Sequence, residues 1–237
     1  LLYWNKFLDY GNKTLSESYK KEVDKSSIND LATILYTSGT TGQPKGVPLT
    51  HGNLLHQITN LACIANPKPG AAVLSVLPIW HSYERSAEYF FFSCGCSQYY
   101  TLPKYLKDDI KNVKPIVMAT VPRLWEAIYD GFFLAIKKMP KAKQNLIKFL
   151  IKRSSQYKRN LRKFRNLEII EISIIEKIKS LFLIIFNFPI HQLSSLFIWP
   201  NLRKQLCGNR LKFPINGGGA LPKHVDLFFE SLGIDVL

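Results

Sequence analysis

Twelve consecutive residues, Tyr36-Thr37-Ser38-Gly39-Thr40-Thr41-Gly42-Gln43-Pro44-Lys45-Gly46-Val47, concentrate the groups that can hold a polyphosphate. Thr37, Ser38, Thr40 and Thr41 offer hydroxyls and Lys45 an ammonium. Gly39, Gly42 and Gly46 let the backbone come close to a ligand. The string is not a Walker A loop, because Gly46 follows Lys45 and Gly42 precedes it by three positions. The plain alternative is a flexible turn between two strands. Two later stretches also carry candidate groups: His81-Ser82-Tyr83-Glu84-Arg85 and Asn216-Gly217-Gly218-Gly219-Ala220. The first combines an imidazole with a Glu-Arg pair that could simply support its loop. The second is either a place of close backbone approach or a tight turn. His51 and His56 are five apart, which is not a metal-ligand spacing, and the four cysteines form no Cys-x-x-Cys pair. No protein metal site is expected.

These groups need elements to hold them. Leu31 to Tyr36 is an apolar strand that runs into the hydroxyl-rich loop, and Val47-Pro48-Leu49 is short and extended. Thr50 caps a helix whose Leu54, Leu55, Ile58, Leu61 and Ala62 recur at helical spacing. Strands are predicted over Ala71–Leu77, Gln98–Leu102, Pro115–Thr120 and Lys212–Ile215, with another beginning at Ile234. Helices are predicted through Phe92, over Leu106–Val113, over Pro122–Lys137 with Pro122 as first residue, and over Pro222–Leu232. This rhythm predicts an α/β fold with a mostly parallel sheet flanked by helices. Residues 1–30 read as a leading helix and linker of the same domain, 31–237 as its body, and 138–207 as a helical insertion.

The net charge of +15 suggests a nucleic-acid binder until it is located. Twelve Lys/Arg and no Asp/Glu fall between Lys137 and Arg165; outside that stretch 20 basic residues face 17 acidic ones. The basicity belongs to the insertion, and no nucleic-acid partner is expected. Leu146, Leu150, Tyr157, Leu161 and Phe164 lie near one helical face among these cations. That pattern suits peripheral contact of residues 138–165 with an anionic membrane, or equally a packed hairpin with a solvated basic face. Leu181–Ile198 is apolar but interrupted by Asn187, Pro189, His191 and Gln192, so no transmembrane helix is expected there. The unpaired cysteine pattern favours a reducing, intracellular compartment.

The twelve-residue string resembles the phosphate loop of the AMP-forming acyl-activating enzymes, the adenylate-forming superfamily. Thr50-His51-x-Asn53-Leu54 is similar to the family's continuation into its first helix. Leu77-Pro78-Ile79-Trp80-His81-Ser82-Tyr83-Glu84-Arg85 and Val121-Pro122-Arg123 resemble segments of its long-chain fatty-acid ligases. Asn216 to Pro222 resembles the glycine loop between acyl pocket and adenine. Tyr99-Tyr100-x-x-Pro103-x-Tyr105-Leu106-Lys107-Asp108-Asp109 is most similar to the plant plastid acyl–acyl-carrier-protein synthetase type.

The resemblance implies ATP-dependent activation of a long-chain fatty acid through an acyl-adenylate. The acyl group then passes to a pantetheine thiol of acyl carrier protein or CoA. ATP and Mg²⁺ are the implied cofactors. Thr37, Ser38, Gly39, Thr40, Thr41, Gly42 and Lys45 are implied to bind the ATP phosphates. His81 is the implied catalytic residue, bordering the acyl carboxylate and the path of the thiol, with a partly buried structural histidine as the alternative. Gly217, Gly218, Gly219 and Ala220 would bind adenine or acyl chain, and Arg123 is read as structural. Tyr89–Phe92 and Phe182–Phe188 would suit a long-chain pocket, or ordinary core packing. Plastid residence is implied as well. The family's Tyr-Gly-x-Thr-Glu motif and its small C-terminal domain would follow Leu237, so these 237 residues are expected to be a fragment without turnover of their own. Two rivals stay open: an aryl–CoA or other acyl ligase of the superfamily, and a truncated, non-catalytic remnant that binds membranes.

Overall fold

A computed structural model describes residues 3–11, 25–38 and 42–237. The chain divides into two compact units, residues 1–59 and 60–237. In the first, helix α1 (Trp4–Gly11) precedes an antiparallel hairpin of β1 (Leu31–Ser38) and β2 (Pro44–Thr50), which leads into α2 (His51–Asn60). The remainder of the expected leading segment, residues 12–24, lies outside the described residues. Thr50 caps α2 reciprocally with Asn53. The Thr50 N–H donates to Asn53 Oδ1 (2.9 Å), and the Asn53 N–H donates to Thr50 Oγ1 (3.3 Å). A side chain three residues on thus takes the part usually played by Glu or Gln.

The second unit is built on a four-stranded parallel sheet of β3 (Ala72–Ser75), β4 (Ser97–Tyr100), β5 (Val117–Thr120) and β6 (Phe213–Asn216), in the order β4-β3-β5-β6. Its central strands are apolar up to their last residues, Ser75 and Thr120, because both faces are covered. Val73, Val117 and Ala119 face Ala87, Phe90 and Phe91 of α3 (Ser82–Ser93). Leu74 and Met118, on the opposite pleat, face Leu106 and Ile110 of α4 (Leu106–Val113). A third core forms among α5 (Pro122–Lys137), α6 (Lys141–Phe164), α8 (Trp199–Cys207) and α9 (Lys223–Ser231), around Trp125, Ile147, Trp199, Phe228 and Phe229. The expected α/β class and parallel sheet are present, although the β1–β2 hairpin forms a separate antiparallel sheet. Ile234–Leu237 is not a strand as expected. Leu237 nevertheless donates to the Pro214 carbonyl (2.9 Å) and accepts from the Asn216 N–H (2.8 Å), which is the bonding pattern of a parallel neighbour of β6.

Residues 138–207 fold chiefly as α6, α7 (Ile174–Phe197) and α8. The buried residues of α6 are Ile147 and Ser154, whereas Leu146 and Phe164 of the anticipated apolar face are exposed. Two neighbours set the packing face of α6 instead. One is α9, where Ser155 Oγ donates to the Leu227 carbonyl (3.3 Å). The other is α7, where Tyr157 stacks on His191 with ring centres 4.4 Å apart. The residues read as interruptions over Leu181–Ile198, Pro189 among them, do not break α7, which runs unbroken for 24 residues. Among the described residues it is the one helix long and apolar enough to cross a membrane, by length and composition.

Candidate functional site

The described part of the hydroxyl-rich string lies on the β1–β2 hairpin: Tyr36 to Ser38 end β1, and Pro44 to Val47 begin β2. Thr37 stands opposite Lys45 and Ser38 opposite Pro44. Cross-strand partners project from the same face, so a hydroxyl and an ammonium leave this end of the hairpin together. The Thr37 hydroxyl also donates to the Lys45 carbonyl (3.4 Å), and both residues are exposed. Gly42 holds φ of +80° with open space around it, so a side chain there would be strained but would collide with nothing. Gly39, Thr40 and Thr41 lie outside the described residues.

In the second unit, the other candidate residues gather at the carboxyl ends of β3, β5 and β6, where open parallel sheets bind ligands. His81 is exposed and caps α3: its Nδ1 accepts the Tyr83 N–H (3.2 Å), and its backbone is extended (φ −85°, ψ 136°). An Nδ1 that accepts places the proton of the neutral ring on Nε2. The histidine is therefore structural through one nitrogen, without being the partly buried residue of the alternative reading.

Glu84 and Arg85, expected as a loop-supporting pair, diverge. Arg85 Nε donates to the Ile79 carbonyl (3.3 Å) and so holds the loop before His81. Glu84 turns inward, 1% exposed, and its Oε2 has no hydrogen-bond partner among the described residues. Burial pushes its carboxyl up to about 7; a hydrogen bond with Ser75 opposes the shift and Glu88 adds to it. Glu88, also buried, is pushed upward by desolvation against the pull of Tyr100 and Arg85. Ser75 Oγ is also 3.1 Å from Gln98 Oε1, whose amide donates to the Glu88 carbonyl (2.9 Å).

The glycine loop closes this end of the sheet. The Gly217 N–H donates to the Thr120 carbonyl (2.9 Å), and Asn216 Nδ2 donates to the Gly219 carbonyl (3.2 Å). Gly218 holds φ of +74°, and Gly218, Gly219 and Ala220 form an exposed lip. Gly217 has no room for a side chain, since a Cβ would stand 2.6 Å from Tyr83 Cζ. Burial pushes the Tyr83 hydroxyl up to about 12. Beneath the lip, Thr120 Oγ1 donates to the Ile215 carbonyl and accepts the indole N–H of fully buried Trp125, both at 2.7 Å. Sequence reasoning missed this link, although Trp125 three residues after the helix-initiating Pro122 was the available signal. Arg123 is exposed on the first turn of α5. Neither aromatic stretch forms the anticipated pocket. Phe90 and Phe91 are core behind the sheet, while Phe182, Phe186 and Phe188 are exposed on α7.

A family profile, "AMP-binding enzyme", matches residues 4–237. The chain is 39% identical over 229 residues to "Probable acyl-activating enzyme 16, chloroplastic" of Arabidopsis thaliana, covering 93% of this chain and 31% of that protein. It is 37% identical over 227 residues to a chloroplastic long-chain-fatty-acid–[acyl-carrier-protein] ligase, AEE15, of the same plant, covering 92% of this chain and 31% of the relative. This chain thus spans about a third of the length of these relatives. Among solved structures, the N-terminal domain of FACL13 from Mycobacterium tuberculosis superposes with a TM-score of 0.50 at 14% identity, over 93% of this chain and 41% of that one. That likeness concerns the fold.

Proposed function

This chain belongs to the AMP-binding enzyme family, and we propose that it serves ATP-dependent, AMP-forming activation of a long-chain fatty acid, with transfer to a pantetheine thiol of acyl carrier protein or CoA. Residues 31–237 would be its adenylation domain, with 138–207 inserted into it. The observation that carries this reading is the hairpin loop, whose register sets the Thr37 hydroxyl and the Lys45 ammonium on one face.

In this reading the fatty carboxylate attacks the α-phosphorus, forming an acyl–phosphate bond as pyrophosphate leaves. The residues Thr37 to Gly42 cradle the β- and γ-phosphates, and Lys45 offsets the charge that develops on the departing pyrophosphate. His81 would border the carboxylate through Nε2, and the Gly217–Ala220 lip would let adenine or the acyl chain meet backbone. Mg²⁺ would ride on the triphosphate, neutralising its oxygens. Plastid residence is part of the proposal, and the chloroplastic relatives support it. We extend the proposal to a peripheral membrane contact in which the cations of residues 138–165 face anionic headgroups.

The test is carboxylate-dependent exchange of pyrophosphate into ATP by the protein that carries this chain. Exchange with palmitate, abolished by Lys45→Ala, is the expected result. Exchange with benzoate but not palmitate would overturn the fatty-acid assignment.

A further inference from the structure

Helix α7 is built inside out. Its buried residues are Ser180, Asn187 and Ser194, spaced by seven along the side that meets α6. Its outward residues include Ile178, Phe182, Ile185, Phe186 and Phe197, each more than half exposed. A water-facing helix packed on a domain shows the reverse arrangement. Small and polar residues between helices, with apolar residues outside, is what a lipid environment favours. Within that seam Asn187 Nδ2 donates to the Leu183 carbonyl and Ser194 Oγ to that of Ile190, both at 2.7 Å, while the buried Ser154 hydroxyl of α6 has no hydrogen-bond partner among the described residues.

We propose that the outer face of α7 docks into the interface of an anionic lipid bilayer. This deepens the peripheral membrane contact proposed above and rests on it. Charge complementarity selects the occupant, since the neighbouring stretch Lys137–Arg165 carries twelve cations and no acidic residue. Lys148, Lys152 and Arg159 are exposed on one face of α6. Arg153 joins the two surfaces, its guanidinium 5.1 Å from the Phe149 ring on α6 and 5.2 Å from the Phe186 ring on α7. Cations beside inserted aromatics match the headgroup–acyl boundary.

The helix lies along that boundary and does not cross it. At about 1.5 Å per residue, 24 residues would span a hydrocarbon core. But α7 is held lengthwise against α6, and α6 is tied to α9 through Arg162, 3.6 Å from Asp226 and 3.5 Å from Glu230. Crossing would drag those charges into hydrocarbon.

The experiment is flotation of the 237-residue chain with vesicles of phosphatidylglycerol and phosphatidylcholine, beside vesicles of phosphatidylcholine alone. The expected result is flotation with the anionic vesicles, weakened about tenfold or more by Phe182→Ser/Phe186→Ser. A second variant, Ile178→Ser/Ile185→Ser, should behave alike, and both should keep the parent's circular dichroism melt because the positions are exposed. If the α7 variants float like the parent while Lys148→Gln/Lys152→Gln/Arg159→Gln does not, this inference falls and the electrostatic contact stands. If the parent itself stays down, both fall. If the parent sediments as a dimer that the α7 variants lose, without flotation, a second copy covers the face and the inference falls.

Discussion

The Tyr83 ring occupies the space that any side chain on Gly217 would need, with only 2.6 Å between a Cβ there and Tyr83 Cζ. The first turn of α3 and the loop after β6, 134 positions apart in the chain, are thereby locked together at the carboxyl ends of the sheet. Gly217→Ala should move the ring or the loop, and overpacking of this kind costs roughly 1–3 kcal/mol. Urea denaturation of Gly217→Ala, Tyr83→Leu and the double variant checks the contact. A coupling of at least about 0.5 kcal/mol is expected, and strict additivity would show that the two residues do not meet.

Thr120 makes a second tie at the same place, serving the Ile215 carbonyl and the Trp125 indole at once. Thr120→Val keeps the shape but leaves a buried N–H and a carbonyl without their partner. The expected loss is about 1–3 kcal/mol. Trp125→Phe in the Thr120→Val background should cost less than in the parent, because no orphaned donor remains. Thermal melts of the four proteins decide the matter.

Glu84 gives folding a pH dependence of definite sign. Its carboxyl rises from the ordinary 4.5 to about 7 in the folded chain, so between those values the unfolded chain has released a proton that the folded chain keeps. Stability must then fall as pH rises through that window, and it is greatest below it. Glu88, also shifted upward, acts in the same direction. Glu84→Gln should flatten the decline of the urea midpoint from pH 5 to pH 8 and be the more stable protein at the upper end. An unchanged slope would mean that Glu84 is ionised in the fold.

Lys45 separates binding from folding. It is exposed on a hairpin, so Lys45→Ala should leave the melting temperature alone. Loss of one ammonium from a polyphosphate site should weaken ATP binding by about tenfold to a hundredfold, as read by calorimetric titration. Equal affinity for ATP in both proteins would remove Lys45 from the site.

The sheet was legible because apolar runs of four to seven residues alternate with helical periodicity, and the capping Thr50 and helix-starting Pro122 are local signals. The packing of the insertion was not. The buried side of α7 is polar, so a rule that puts apolar residues inside reads the helix the wrong way round, and Asn187, Pro189, His191 and Gln192 looked like breaks. Much the same holds at the site. His81 and the glycines declare themselves by type, but nothing local reveals that Tyr83 fills the absent side chain of Gly217. Nor does the sequence show that Glu84 parts from Arg85: both follow from how α3 sits on the sheet.

His81 holds two roles that one substitution can pull apart. Its Nδ1 accepts the Tyr83 N–H at the start of α3, a cap that side-chain oxygens perform as well. His81→Ala should therefore lower stability by roughly 0.5–2 kcal/mol. His81→Asn, which restores an acceptor near the same place, should recover most of that loss. If the imidazole also borders the reacting carboxylate, pyrophosphate exchange will fail in both variants while the melt recovers only in the second. Recovery of both melt and exchange in His81→Asn would assign the residue to the cap alone, and the chemistry would then rest on the loop residues around Lys45 and Gly217.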